Sequence, residues 1–120
     1  AQAELGTVNQ DAYDAFKAIR DRAKLTTPAI GTYTAATFKE AVWKERWHEF
    51  AYEGITWFDM VRLRKVFNEE TKKFDNFVGH RNLNVSGGAP LLEKHLLFPL
   101  GIQEMRNNPN LKPQNPGYQQ

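Results

Sequence analysis

Glu45-Arg46-Trp47-His48-Glu49-Phe50-Ala51-Tyr52-Glu53-Gly54, with Trp57-Phe58-Asp59-Met60-Val61-Arg62-Leu63 two residues further on, is the stretch that decides the fold. At the 3.6-residue period of an α-helix, Phe38, Val42, Glu45, Arg46, Glu49 and Glu53 fall within one sector roughly 100° wide. Charges therefore share the apolar face. A buried carboxylate is costly unless it is paired and hydrogen-bonded, so these acids demand cations. The nearest along the chain are Arg46, Arg62 and Arg64. The reading is a helical hairpin locked by an ion network of Glu45, Arg46, Glu49, Glu53, Asp59 and Arg62, with Glu49 or Glu53 within salt-bridge reach of an arginine.

Working outward, Thr37-Phe38-Lys39-Glu40 has the threonine-to-glutamate spacing of a capping box, which predicts a helix start there. The helix runs to about Glu53, and Gly54 suits the left-handed cap that ends it. The next segment, from about Thr56 to Phe67, is apolar all round its wheel, as expected of a helix packed on several sides in the interior. Upstream, Leu5, Val8, Ala12, Phe16, Ile19 and Ala23 recur at three- and four-residue steps and predict an amphipathic helix over residues 4–25. Thr26, Thr27, Pro28 and Gly31 break it.

From Asn68 to Lys94 only short apolar pairs occur between Lys72-Lys73, Asp75-Asn76, Gly79 and Ser86-Gly87-Gly88, which reads as a long irregular excursion. His95-Leu96-Leu97-Phe98 before Pro99 suits a brief strand or an extended buried segment. Ile102 to Met105 fits one helical turn. Asn107-Asn108-Pro109-Asn110 and Asn115-Pro116-Gly117-Tyr118 are turn sequences. The fold class is mainly α, with one long irregular excursion and at most one short β element near residue 97.

The 120 residues carry 16 Lys and Arg against 14 Asp and Glu, a formal charge of +2. The charges are interspersed and form no basic stripe, so nucleic acid is not indicated. The chain has no cysteine, which excludes disulfides and thiolate metal sites. No run of about 18 apolar residues would cross a membrane as a helix. The first residues lack the basic and apolar regions of a signal peptide.

Carboxylates one turn apart act as acid and base in glycoside hydrolysis when their environments separate them, yet no second element of such a site accompanies Glu45, Glu49 and Glu53. Trp43, Trp47 and Trp57 invite sugar stacking, but packing within the chain or against a larger body accounts for them more simply. His48, His80 and His95 match no tight metal-binding spacing. Gly87-Gly88 lacks the lysine and following helix of a phosphate loop, and Ser86 lacks the glycine of a nucleophile elbow. No catalytic residue, metal or cofactor is assigned.

Two stretches together carry a family resemblance. Glu45-Arg46, Glu49-Phe50, Glu53-Gly54, Trp57, Asp59 and Arg62 resemble the pattern of the SusD/RagB family. Leu97-Phe98-Pro99-Leu100 with Glu104, Asn108-Pro109 and Gln114-Asn115-Pro116-Gly117-Tyr118 is similar to that family's close. The arginine-rich end of the first helix, Ile19-Arg20-Asp21-Arg22-Ala23, agrees. Leu100-Gly101 departs from the usual Pro-Ile-Pro ending, and Thr56 stands where the family often has arginine.

The resemblance implies that residues 1–120 are the C-terminal domain of a larger protein whose helical-repeat body is N-terminal to it. It implies a lipid-anchored, surface-exposed protein of the Bacteroidetes outer membrane. Such a protein lies over a SusC-type TonB-dependent transporter and binds glycans or peptides for import, with no enzymatic activity. The matching motifs look like scaffold. Within this segment the excursion bearing Phe74, Phe77, His80, Arg81 and Asn82 is the candidate for ligand contact, since loops on a rigid scaffold carry variable function. The competing readings are a carboxylate-dependent glycoside hydrolase fragment and a free-standing helical interaction module.

Overall fold

A computed structural model describes residues 8–81 and 88–119. Its elements in order are α1 (Gln10–Arg22), α2 (Ala35–Glu49), α3 (Ile55–Leu63), β1 (Lys65–Asn68), β2 (Lys73–Asn76) and α4 (Ile102–Asn107), with short 3₁₀ turns at Ile30–Thr32, Glu93–Leu96 and Pro109–Leu111. The protein is mainly helical. It divides into two compact units, Ala1–Thr56 and Trp57–Gln120.

In the first unit, the side chain of Asn9 accepts from the Ala12 amide and starts α1; the part of the expected helix before Val8 lies outside the described residues. The helix closes in a Schellman motif, in which the Leu25 amide bonds to the Arg20 carbonyl (2.9 Å) and the Lys24 amide to the Asp21 carbonyl (2.9 Å). Lys24 therefore occupies the left-handed position with φ 58°, a place that favours glycine.

The three- and four-residue spacing of Ala12, Tyr13 and Phe16 puts these side chains on one face, and Phe38 of α2 meets them. Phe16, Tyr33 and Phe38 form a triangle of edge-to-face rings with centroids 5.4–6.3 Å apart. Burial, opposed by the Arg20 guanidinium, pushes the Tyr33 hydroxyl above the ordinary tyrosine value.

The capping box of α2 lies three residues before the expected one. The Thr34 hydroxyl accepts from the Thr37 amide (3.2 Å), and the Thr37 hydroxyl accepts from the Thr34 amide (2.9 Å). Threonine at both positions satisfies the first turn reciprocally, so Glu40 is not needed for it. The other end also differs. Phe50 caps the helix, and its carbonyl accepts from the Thr56 hydroxyl (2.8 Å) and the Glu53 amide (3.2 Å). That turn ends α2 before Gly54, which is left-handed (φ 75°) but four residues past the cap.

In the second unit, α3 stops at Leu63, short of Phe67, because Arg64 turns left-handed (φ 52°) and its carbonyl accepts from the Phe77 amide (3.0 Å). None of its residues is fully buried and Phe58 is exposed, which corrects the expectation of an interior helix. Antiparallel β1 and β2 follow, pairing Lys65 with Asn76, Val66 with Asp75, Phe67 with Phe74 and Asn68 with Lys73. The Phe67 and Phe74 rings meet edge-to-face across the pair at 5.2 Å. The Asn68 side chain accepts from the Glu70 and Thr71 amides and shapes the four-residue turn.

The β-structure thus consists of two strands, β1 at the end of the segment expected to be helical and β2 in the supposed excursion, while residues 95–98 form no strand. Leu97 has extended backbone there, but Leu97 and Phe98 are exposed. Among the described residues, Val66, Phe67, Phe77 and Met105 are the buried apolar side chains of this unit. Helix α4 forms where one turn was expected, extended to Asn107.

Candidate functional site

The charged residues singled out by the sequence sort into separate contacts. In the first unit two ion pairs join α1 to α2. Arg20 Nη1 lies 2.5 Å from Glu45 Oε2, and Arg22 Nη2 lies 2.5 Å from Glu49 Oε2. Glu45 is 6% exposed, the most deeply placed acid among the described residues. Its partner is well held, because Arg20 also donates to the Thr26 carbonyl (2.9 Å) and lies 5.6 Å from the Phe16 ring centroid. Arg22 reaches out from the surface to a partly covered Glu49.

Cations for Glu45 and Glu49 thus come from α1, further away in sequence than Arg46, Arg62 and Arg64. Arg46 sits on the same helix as its supposed partners, with its guanidinium 4.8 Å from the Phe50 ring centroid. Arg62 pairs one turn back with Asp59 (3.2 Å), and Arg64 pairs with Glu93 (3.1 Å). Glu53 lies beyond the end of α2, exposed and without an ion pair among the described residues. Each of Glu45 and Glu49 has one carboxylate oxygen engaged by its own arginine of α1.

The candidate ligand residues are dispersed. Phe77 is fully buried and meets Trp57 edge-to-face at 5.8 Å, so its ring is a core group. Phe74 packs on Phe67. His80 Nδ1 lies 3.3 Å from Asp75 Oδ2, which also accepts from Asn68 Nδ2 (2.8 Å). Arg81 is exposed, and Asn82 lies outside the described residues. Among the described residues, no group of three or more His, Cys, Asp or Glu could hold a metal ion.

The tryptophans are all half-buried, and Trp43 lies under the Lys39 ammonium at 5.0 Å. No described helix is long and apolar enough to cross a membrane.

The sequence reading missed a side-chain clamp in the second unit. The Gln114 amide accepts from the Leu100 N–H (2.7 Å) and the Asn115 N–H (2.9 Å), and it donates to the Leu100 carbonyl (2.9 Å) and to Met105 Sδ (3.4 Å). Asn115 Nδ2 donates to the Phe98 carbonyl (2.6 Å), and the Tyr118 hydroxyl to the Leu97 carbonyl (2.9 Å). Gly117, at φ 84°, passes so close to Lys94 that a Cβ there would meet the Lys94 Cβ at 2.8 Å. The signal was present in Gln114-Asn115-Pro116-Gly117-Tyr118, but a turn sequence does not say which backbone its side chains will reach.

Ion pairs join α1 to α2 in the first unit, and in the second the side chains of Gln114, Asn115 and Tyr118 hold the 97–100 backbone beside packed rings. The chain belongs to the SusD family, whose model matches residues 1–118. It is similar to a solved SusD superfamily protein from Parabacteroides distasonis ATCC 8503, with 37% sequence identity and a TM-score of 0.82 over 93% of this chain. The match covers 22% of that protein's chain, so the 120 residues span a little over a fifth of its length. No curated protein matches.

Proposed function

We propose that the chain is the C-terminal scaffold segment of a SusD-family nutrient-binding protein. The intact protein is held on the bacterial outer membrane by a lipid anchor outside this segment. It binds glycans or peptides beside a SusC-type TonB-dependent transporter and carries out no chemistry on them. The observation that carries this reading is the family match over residues 1–118 together with the likeness to the solved SusD superfamily protein.

Its scaffold role is supported by the use of the motif residues: Glu45 and Glu49 are engaged by arginines, and Gln114, Asn115 and Tyr118 by backbone. Any contribution of this segment to recognition comes from the stretch after β2, where His80 and Arg81 follow the buried Phe77.

The test uses the intact parent protein. Calorimetric titration against a panel of soluble polysaccharides and peptides is expected to show saturable binding, and product analysis after prolonged incubation is expected to find the ligand unchanged. Release of shorter glycans would establish the hydrolase reading instead. Co-purification of a β-barrel transporter from membranes, and labelling of the parent by radioactive palmitate, test the partner and the anchor separately.

A further inference from the structure

Just after β2 the chain is pinned at His80 through both backbone and side chain. The His80 carbonyl accepts from the Leu91 N–H (2.9 Å), its N–H donates to the Phe77 carbonyl (3.3 Å), and the Gly79 N–H donates to the Leu91 carbonyl (2.7 Å). Asn68 Nδ2 donates to Asp75 Oδ2 (2.8 Å), and the same oxygen lies 3.3 Å from His80 Nδ1. The ends of the hairpin therefore hold the imidazole as firmly as the backbone beneath it.

A carboxylate can only accept, so Nδ1 carries the proton and the neutral ring keeps its lone pair on Nε2. Among the described residues Nε2 has no hydrogen-bond partner, and it is not a buried atom. Only 14% of the side chain is exposed, so the held ring offers little more than that edge. Arg81, next in the chain and exposed, offers donors and no acceptor.

An acceptor followed by a donor suits a group that both donates and accepts, as a sugar hydroxyl does. An anionic ligand would meet the Nε2 lone pair and the Asp75 carboxylate, with Arg81 alone in its favour. A peptide added as a strand needs unpaired backbone, whereas the Gly79 N–H and both backbone groups of His80 and Leu91 are already taken.

We infer, on the proposed reading of the chain as part of a SusD-family binding protein, that His80 Nε2 accepts from a hydroxyl of a neutral glycan, with Asp75, itself held by Asn68, as its positioning residue.

The experiments use the intact parent. Nitrogen NMR of labelled histidine at mildly alkaline pH, with His80→Ala to assign the signal, is expected to show Nδ1 protonated and Nε2 bare. Calorimetric titrations use soluble α-glucan, β-glucan, mannan and fructan, with polygalacturonate and a tryptic peptide mixture alongside. For the neutral glycan that binds, His80→Ala is expected to weaken affinity about fivefold, the worth of one neutral hydrogen bond. Asp75→Asn, whose amide can present a donor to Nδ1 and so release the tautomer, is expected to cost about threefold. In the His80→Ala background the same change should cost nothing, because a positioning residue acts only through the group it positions.

A proton on Nε2 of the neutral ring would overturn the inference, and the unaltered parent alone decides that point. So would an affinity untouched by His80→Ala, an equal cost of Asp75→Asn with and without His80, or a preference for polygalacturonate or peptides over every neutral glycan. Each of these leaves the proposed function standing, whereas an unaltered parent that binds no probe sinks that function and the glycan contact with it.

Discussion

Arg20 and Glu45 form a pair whose energetics differ from those of Arg22 and Glu49, although the two lie side by side. Glu45 is buried, so removing its partner leaves an uncompensated carboxylate; Arg20→Ala is expected to cost about 3 kcal/mol in urea unfolding. Arg22 is 70% exposed, and Arg22→Ala is expected to cost less than about 1 kcal/mol. Replacing Arg20 and Glu45 together by methionine should restore most of the loss, since neither charge is then stranded.

Tyr33 supplies a pH dependence. Its hydroxyl is held above the ordinary value of about 10, chiefly by burial, so folding favours the neutral form. That contribution is fully present below the ordinary value and is lost as pH rises through the raised folded value. Stability measured from pH 9 to 11 is expected to fall less steeply in Tyr33→Phe than in the parent sequence. At this scale the sequence reading found that Glu45 and Glu49 need cations, because burial of a charge follows from helical periodicity. It could not find which cations, since the approach of α1 to α2 is a tertiary fact without a local signature.

At the scale of elements, the ends of helices were less legible than their existence. Helix α2 is capped by Thr34 because two threonines serve as well as a threonine and a glutamate, and nothing local ranks the two boxes. Lys24 in the left-handed position of the α1 cap marks a place for improvement: Lys24→Gly is expected to raise stability by about 1 kcal/mol, read as a higher thermal midpoint. Gly117 is the converse. It needs its positive φ and faces the Lys94 Cβ, which cannot swing away, so Gly117→Ala is expected to cost about 1–3 kcal/mol and to speed amide exchange at Leu100. The hairpin escaped notice because each strand has only four residues and consecutive Val66 and Phe67 are both buried, which erases the alternation that marks a strand.

At the scale of the whole molecule, the fold class and the family were legible from the motifs, because those residues form the ion pair, the turn and the side-chain clamp that hold the chain. The placement of the candidate ligand residues was not. Of the five candidates, Phe77 proved to be core and Phe74 packs on Phe67, since an aromatic residue in a punctuated stretch looks the same whether its ring faces inward or outward. Replacing His80 and Arg81 together by alanine in the intact parent is expected to lower ligand affinity about tenfold, the worth of one charged hydrogen bond. Arg22→Ala in the same protein leaves the titration unchanged.

The Gln114 clamp has one more consequence. A carboxamide offers the same donor and acceptor as a peptide group, so Gln114 occupies both hydrogen-bonding groups of Leu100 as a neighbouring strand would. With the Leu97 and Phe98 carbonyls also taken, these groups of a stretch rich in leucine and phenylalanine are already engaged and less open to backbone pairing with a second molecule. Three side chains of a turn sequence thereby act as a safeguard against self-templated assembly.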